Sequence, residues 1–299
     1  MSASDLNSEI ATRACELLAG RVPFVHARVV LAERPTSAKP GDEALILADG
    51  TIVGFVGGTC AESTVRAQSL ALLDSHESLL LRITPTPEEA IGGKLTVHNP
   101  CLSGGTLEIF LEPIVPAPLV VVVGDSPIAR AVRGLGDRLG YDVVAWDGSV
   151  PADAAAIVVA SHGRDEEQAL VAALQAGTAY VGLVASRKRG EAVVAALDVC
   201  GSMKGRIRTP AGLDIGARTP AEVALSILAE IVAGRPRPTG RSITSDAAPT
   251  METATDPVCG MNVAMVDASL HFDHDGVRTW FCGSGCLRAF AADPAAYSA

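Results

Sequence analysis

A chain of 299 residues is long enough for two or three domains, each burying a core of its own. Hydrophobic residues make up 48% of it and aromatic ones only 4%, so the core has to be built from Val, Leu, Ile and Ala, as in parallel α/β sheets. A formal net charge of −10 and a pI near 5.1 argue against nucleic acid or an anionic membrane as partner, because both call for clustered positive charge.

The first twenty residues mix Asp5, Glu9, Arg13 and Glu16 with Leu6, Ile10, Leu17 and Leu18 at helical spacing. That predicts an amphipathic helix over 4–20 and contains no apolar stretch of a signal peptide, so a cytoplasmic location is expected. The longest apolar runs, Leu119 to Val123 and Ala154 to Ala160, fall well short of the roughly 20 residues a membrane span needs. Strand-like segments follow at 22–33 and 44–58, the second carrying Asp49-Gly50 as a hairpin turn. A helix is predicted from Cys60 to Asp74, then strands at 79–83, 94–97 and 106–113. Residues 1–115 therefore form a mixed α/β domain, closed by the stiff PIVPAP connector.

From Leu119 onward, aliphatic strands alternate with helices up to a last helix at Pro220 to Ala233. This βαβ pattern predicts a Rossmann-like parallel sheet over 116–235, with any ligand held beyond the carboxyl ends of its strands. Residues 236–255 are rich in Pro, Ser, Thr and Ala and predict a flexible linker. The remaining residues, 256–299, are too few for a confident unaided core, which points to a metal or to contact with the main body. Seven cysteines in a chain expected to stay reduced argue for metal ligands or reactive thiols over disulfides.

Several positions carry candidate chemistry. Gly124 opens the first strand-to-helix turn as Gly-Asp-Ser-Pro-Ile-Ala, which keeps one glycine of a dinucleotide fingerprint. The helix start there could hold a phosphate, and Asp147, 23 residues on, is placed either to take a ribose hydroxyl or to make a turn. Ser161 and His162 follow directly on a strand at the sheet's carboxyl edge. His162 is a candidate ligand or proton-transfer group, with capping of the next helix by Ser161 or Asp165 as the alternative. Ser186, Arg187, Lys188 and Arg189 combine a cap-like hydroxyl, three cations and a helix start into a phosphate cradle, or else a solvated basic turn.

The runs SHGRDEE, YVGLVASRKR and RTPAGLDIGARTPAEVALSILAEIVAGR, in that order, resemble the Rossmann-like domain of the XdhC/CoxI family. RPTSAKPGDEALILADGTIVGFVGGTCAE and CLSGGTLEIFLEP resemble its N-terminal domain, so the resemblance spans residues 1–235. In this chain the cysteine of each glycine-cysteine element is displaced, to Cys60 and Cys101, and GDSPIA replaces a glycine-rich, His-containing turn. The resemblance implies a maturation factor that binds molybdenum cofactor (molybdopterin) as cargo. Such a factor assists its sulfuration or insertion into a hydroxylase of the xanthine or carbon monoxide dehydrogenase type, without a demonstrated turnover reaction of its own.

On that reading the partners are an apo-molybdenum hydroxylase, a sulfur donor protein and, as a further candidate, a second copy of the chain. The pterin contacts are expected from Cys60, Glu62, Gly124, Ser161, His162, Ser186, Arg187 and Arg189. A thiolate at Cys60, on a glycine-lined helix start, would be stabilised by the helix dipole and could meet soft metal or transferable sulfur. A small buried hydrophobe is the alternative there and more so at Cys101, while Cys15 and Cys200 read as structural.

The tail motifs DPVCGM (256–261) and TWFCGSGC (279–286) resemble a YHS domain. Cys259, Cys282 and Cys286, with 22 and then 3 intervening residues, would bind Cu(I) or Zn(II), joined by His271 or His274 if neither is a plain hairpin residue. Two functions of other classes compete: an NAD(P)-dependent oxidoreductase built on the second domain, and a metal sensor or metallochaperone led by the tail.

Overall fold

The computed structural model describes residues 3–88, 92–99, 105–235, 252–274 and 276–297. Cys101 and most of the expected linker lie outside the described residues. Two compact units divide the chain, residues 1–116 together with 238–299, and residues 117–237. No helix among the described residues is long and apolar enough to cross a membrane.

The first unit is built on a six-stranded sheet in the order β3-β2-β1-β6-β4-β5. Its strands are β1 (Phe24–Ala32), β2 (Glu43–Leu47), β3 (Ile52–Gly54), β4 (Leu79–Thr84), β5 (Leu95–His98) and β6 (Leu107–Ile114). All neighbours run antiparallel except β4 and β5. Alternation sets the two faces. Val25, Ala27, Val29, Leu81, Ile109 and Leu111 form one core with Val65 and Leu72 of α2 (Thr59–Ser75), whereas Phe24 and Leu45 pack with Ile10 and Leu17 of α1 (Ala3–Ala19).

Glu108, on β6, is buried between Arg82 of β4 (2.9 Å) and Lys94 beside β5 (2.6 Å), so one carboxylate ties three strands together. Lys94 and then Arg82 hold its carboxyl below the ordinary 4.5 against the opposing pull of burial. A depressed folded pKa stabilises the fold above about pH 4.5, and that stabilisation is lost as pH falls through the folded value. Glu108→Gln should therefore destabilise the protein by about 2 kcal/mol at neutral pH. It should also make the acid limb of a stability–pH curve shallower, as read by far-UV circular dichroism in urea.

The tail belongs to this first unit. It contains β12 (Thr253–Thr255), β13 (Asn262–Ala264), β14 (Leu270–His274), β15 (Val277–Phe281) and α8 (Ser284–Ala292). β12 corrects the end of the expected linker: Thr253, Ala254 and Thr255 pair antiparallel with β13, a ladder that two β-branched threonines favour. Ala264 of β13 and the adjoining Val266 pack on Ala67 and Leu70 of α2, so the tail is seated on the helix that begins at Thr59.

The second unit is a doubly wound, all-parallel sheet in the order β11-β10-β9-β7-β8. Its strands are β7 (Leu119–Val123), β8 (Asp142–Ala145), β9 (Ala154–Val159), β10 (Tyr180–Leu183) and β11 (Ile207–Arg208). Near-continuous aliphatic runs suit strands covered on both sides. One face packs on α3 (Pro127–Arg138) and α7 (Pro220–Ala233), the other on α4 (Glu166–Gln175), α5 (Arg187–Ala196) and the short α6 (Gly201–Lys204). The strand order reverses between β7 and β9, which places the crevice of an open α/β sheet beyond their carboxyl ends.

Candidate functional site

In the second unit the loops after β9, β10 and β11 and the start of α3 enclose a cavity of about 880 Å³. His162, Ser186, Arg187 and Arg189 all line it, together with Gly212 and Asp214. Four residues singled out from sequence thus converge on one opening at the sheet's carboxyl edge. Its far wall is fixed by Glu230, whose carboxylate accepts the Gly212 N–H (2.8 Å) and the Tyr180 hydroxyl (2.7 Å).

The loop carrying His162 is strained. His162 and Asp165 both have φ 55, with Gly163 at φ 100 between them, and such non-glycine positions each cost roughly 1–3 kcal/mol. Glu166 holds this loop in place: it is 5% exposed, accepts the Gly163 N–H at 2.7 Å, and pairs with Arg189. Arg189 is therefore committed to Glu166, and Ser161 turns its hydroxyl toward the same carboxylate. Asp165 stands at the N-cap of α4 and Ser186 at the N-cap of α5, neither with a side-chain cap bond. Arg187 has no ion-pair partner among the described residues and is the cation that faces the cavity uncommitted.

Gly124 does not line this cavity. Its φ is +93, and a Cβ there would stand 2.5 Å from Ser161 Cα, so the glycine is required where the exits of β7 and β9 touch. Ser126 accepts the Ala129 N–H at the start of α3, and Asp125 pairs with Arg130 and Arg133. Asp147 accepts both the backbone N–H (3.0 Å) and the hydroxyl (2.8 Å) of Ser149, which is the turn alternative and holds its carboxyl below the ordinary range.

In the first unit a second cavity, of about 760 Å³, is lined by Cys60 at the start of α2 and by Gly283, Ser284 and Gly285 at the start of α8. Thr36, Ser37, Asn99 and Gly105 add polar and backbone groups. Glu62 lies in the first turn of α2 but is absent from this lining, and burial, opposed by Arg66, pushes its carboxyl up.

Against that wall sits a sulfur cluster. Cys259 Sγ lies 3.4 Å from Cys282 Sγ, which lies 3.7 Å from Cys286 Sγ, so the tail cysteines do come together. Asp256, fully buried, joins them, and ligand atoms of the four residues all lie within 4.8 Å of one another. Sequence reasoning missed Asp256, although its place three residues before Cys259 in a tight turn was the available signal. Its two carboxylate oxygens accept the backbone N–H groups of Val258 (2.9 Å) and Cys282 (2.8 Å), fixing one cysteine loop against the other.

Cys60 packs beside Cys282, and that neighbouring thiol, then burial and Cys259, push the Cys282 thiol far above its ordinary range. Burial, followed by Asp256 and Cys259, pushes Cys286 up to about 12. The two histidines stand apart from this group: His271 bonds through Nδ1 to the Ser269 carbonyl and stacks near Trp280, and His274 contacts Phe272.

The XdhC Rossmann domain family matches residues 120–231, and the XdhC and CoxI family matches residues 17–84. The uncharacterised protein YqeB of Escherichia coli K12 is 28% identical over 256 residues, covering 75% of this chain. The chain spans 46% of the length of that relative. A solved structure titled as a xanthine dehydrogenase from Bacillus halodurans shares 15% identity with a TM-score of 0.35, over 76% of this chain and 97% of that one. The chain thus carries an XdhC and CoxI family domain followed by an XdhC Rossmann domain, matched in order along the sequence.

Proposed function

We propose that the protein is a maturation factor for a molybdenum hydroxylase of the xanthine or carbon monoxide dehydrogenase type, and that it carries the molybdenum cofactor as cargo to the apo-enzyme. The two matched XdhC domains support the maturation role. The observation that carries cofactor binding is the gathering of His162, Ser186 and Arg187 around the 880 Å³ cavity, a volume in the range of small-molecule sites. Arg187, at the start of α5, has the charge and the helix-end position to meet the phosphate of a pterin. Ser186 offers a hydroxyl, and His162 an imidazole, to the same cavity. Arg189 serves this site by holding Glu166, and through it the His162 loop.

A nicotinamide oxidoreductase has less support. The Gly124 turn already satisfies its own helix start with Ser126 and places the Asp125 carboxylate where a pyrophosphate would lie. Partners on the present reading are the apo-hydroxylase and a sulfur donor protein, with a second copy of the chain as a further candidate.

The tail fits a soft metal. Three thiols gathered within 4.8 Å of one another form a donor set suited to a d10 cation, which favours their thiolate forms once it sits among them. Cys259, Cys282 and Cys286 would hold Cu(I) or Zn(II), as expected of a YHS-type module, and a copper-loaded tail would suit a client that needs copper as well as pterin.

Cofactor binding is tested by producing the protein in a host that makes molybdopterin and measuring pterin and molybdenum in the purified chain. Arg187→Glu, an exposed change that leaves the core untouched, should lower the pterin content at least tenfold. Equal content in the variant and the parent protein would remove Arg187 from the site, and no pterin in either would end the cargo reading.

A further inference from the structure

We propose that Cys60 is the fourth protein ligand of the metal held by Cys259, Cys282 and Cys286, so that the first domain and the tail build one soft-metal centre between them. The inference rests on the tail cysteines being metal ligands and adds a residue of α2, far from the tail in sequence.

Cys60 already touches the cluster. It packs with Cys259 and Cys286 against the same buried group of Met261, Val263, Trp280 and Cys282. Gly283 makes room for this approach: a Cβ there would stand 3.3 Å from Cys60 Sγ, closer than a side chain is normally accepted. The approach is imposed by contacts that involve no sulfur. Ala264 and Val266 are packed on Ala67 and Leu70 of the helix that carries Cys60.

The other candidates for a fourth ligand are weaker. Asp256 is close enough, but each of its oxygens is engaged by a backbone N–H, and a hard carboxylate is a poorer match than a thiolate for a cation selected by three sulfurs. His271 is turned to the Ser269 carbonyl. Four sulfurs complete a tetrahedral set of the kind that closes structural zinc sites. Among the described residues Cys60 is also the cysteine that lines the 760 Å³ cavity, which makes it the ligand of this set that donors entering from that side reach first.

The test uses the full reduced chain titrated with Co(II) as a spectroscopic stand-in and then with Zn(II) and Cu(I). Sulfur-to-cobalt charge transfer in the near ultraviolet grows with the number of bound thiolates. The parent protein should bind one equivalent. Cys60→Ser should keep the stoichiometry, lose about a quarter of the charge-transfer intensity as four thiolates become three, and bind Zn(II) roughly tenfold or more weakly. Cys60→Asp, which returns an oxygen ligand to the same place, should recover affinity in part without recovering the intensity. Cys15→Ser, at an exposed position on α1, should change neither. Identical intensity and affinity in Cys60→Ser and the parent protein would overturn the inference while leaving the tail site standing. No binding by the parent protein would overturn both.

Discussion

Asp256→Ala should abolish stoichiometric metal binding and loosen the tail, although Asp256 need not itself bind the metal. The side chain is fully buried, and its two oxygens accept N–H groups from Val258, next to Cys259, and from Cys282. Truncation leaves both donors buried without partners, at about 1–3 kcal/mol each, and removes the brace that keeps two cysteine loops in register. A loss of about 3 kcal/mol corresponds to roughly a hundredfold fall in hydrogen-exchange protection of the amides in β13 and β15. Asp256→Asn keeps one acceptor oxygen and should give an intermediate result in both measurements. Unchanged exchange in the alanine variant would show that the loops are braced by something else.

Gly124→Ala is expected to be the most damaging small substitution in the second unit. The residue sits at φ +93, and the new Cβ would meet Ser161 Cα at 2.5 Å and the Ala160 carbonyl oxygen at 2.8 Å. Both are backbone atoms that cannot swing aside, so the exits of β7 and β9 must separate. Left-handed strain together with this overpacking amounts to about 3 kcal/mol, or a fall of the order of 10 °C in the melting temperature of a unit of this size. The separation would also move the His162 loop, so pterin content should fall along with stability. A glycine kept only to let a phosphate approach would behave differently: ligand binding would suffer while the melting temperature of the ligand-free protein stayed within about 2 °C.

The parallel sheet was legible because LVVVV and AAAIVV are too aliphatic to be half-exposed strands and each leads into a helix. The Asp49-Gly50 turn was equally plain: Asp49 accepts the Thr51 N–H and Gly50 takes φ +83. β12 was hidden because a three-residue strand in a Pro-, Ser- and Thr-rich stretch has no periodicity, and its pairing with β13 is a tertiary fact. β11, two residues in RIRTP, was hidden for the same reason.

Among site residues, spacing in CGSGC announced the thiol cluster, and strand-end position announced His162 and Ser186. What sequence could not carry was occupancy. Arg187 and Arg189 look alike in SRKR, yet a buried glutamate from α4 claims one and leaves the other. Nor could spacing reveal that Cys60 meets Cys282, since no local pattern links two residues whose contact depends on the packing of β13 against α2.

The chain leaves its first unit at Pro116 and returns to it at Pro238, with the whole second unit between. That arrangement has a biosynthetic consequence. When Cys60 emerges from a ribosome, Cys282 has yet to be made, and at about 5–20 residues per second its partner arrives roughly ten to forty seconds later. During that interval the second unit has all of its own sequence and can fold, while the first must wait with the α2 face that receives β13 uncovered. The sulfur centre is therefore assembled only after the sequence of the second unit has been made, and a nascent chain stopped anywhere before the tail would present an unaccompanied thiol and an open apolar seat to the cell.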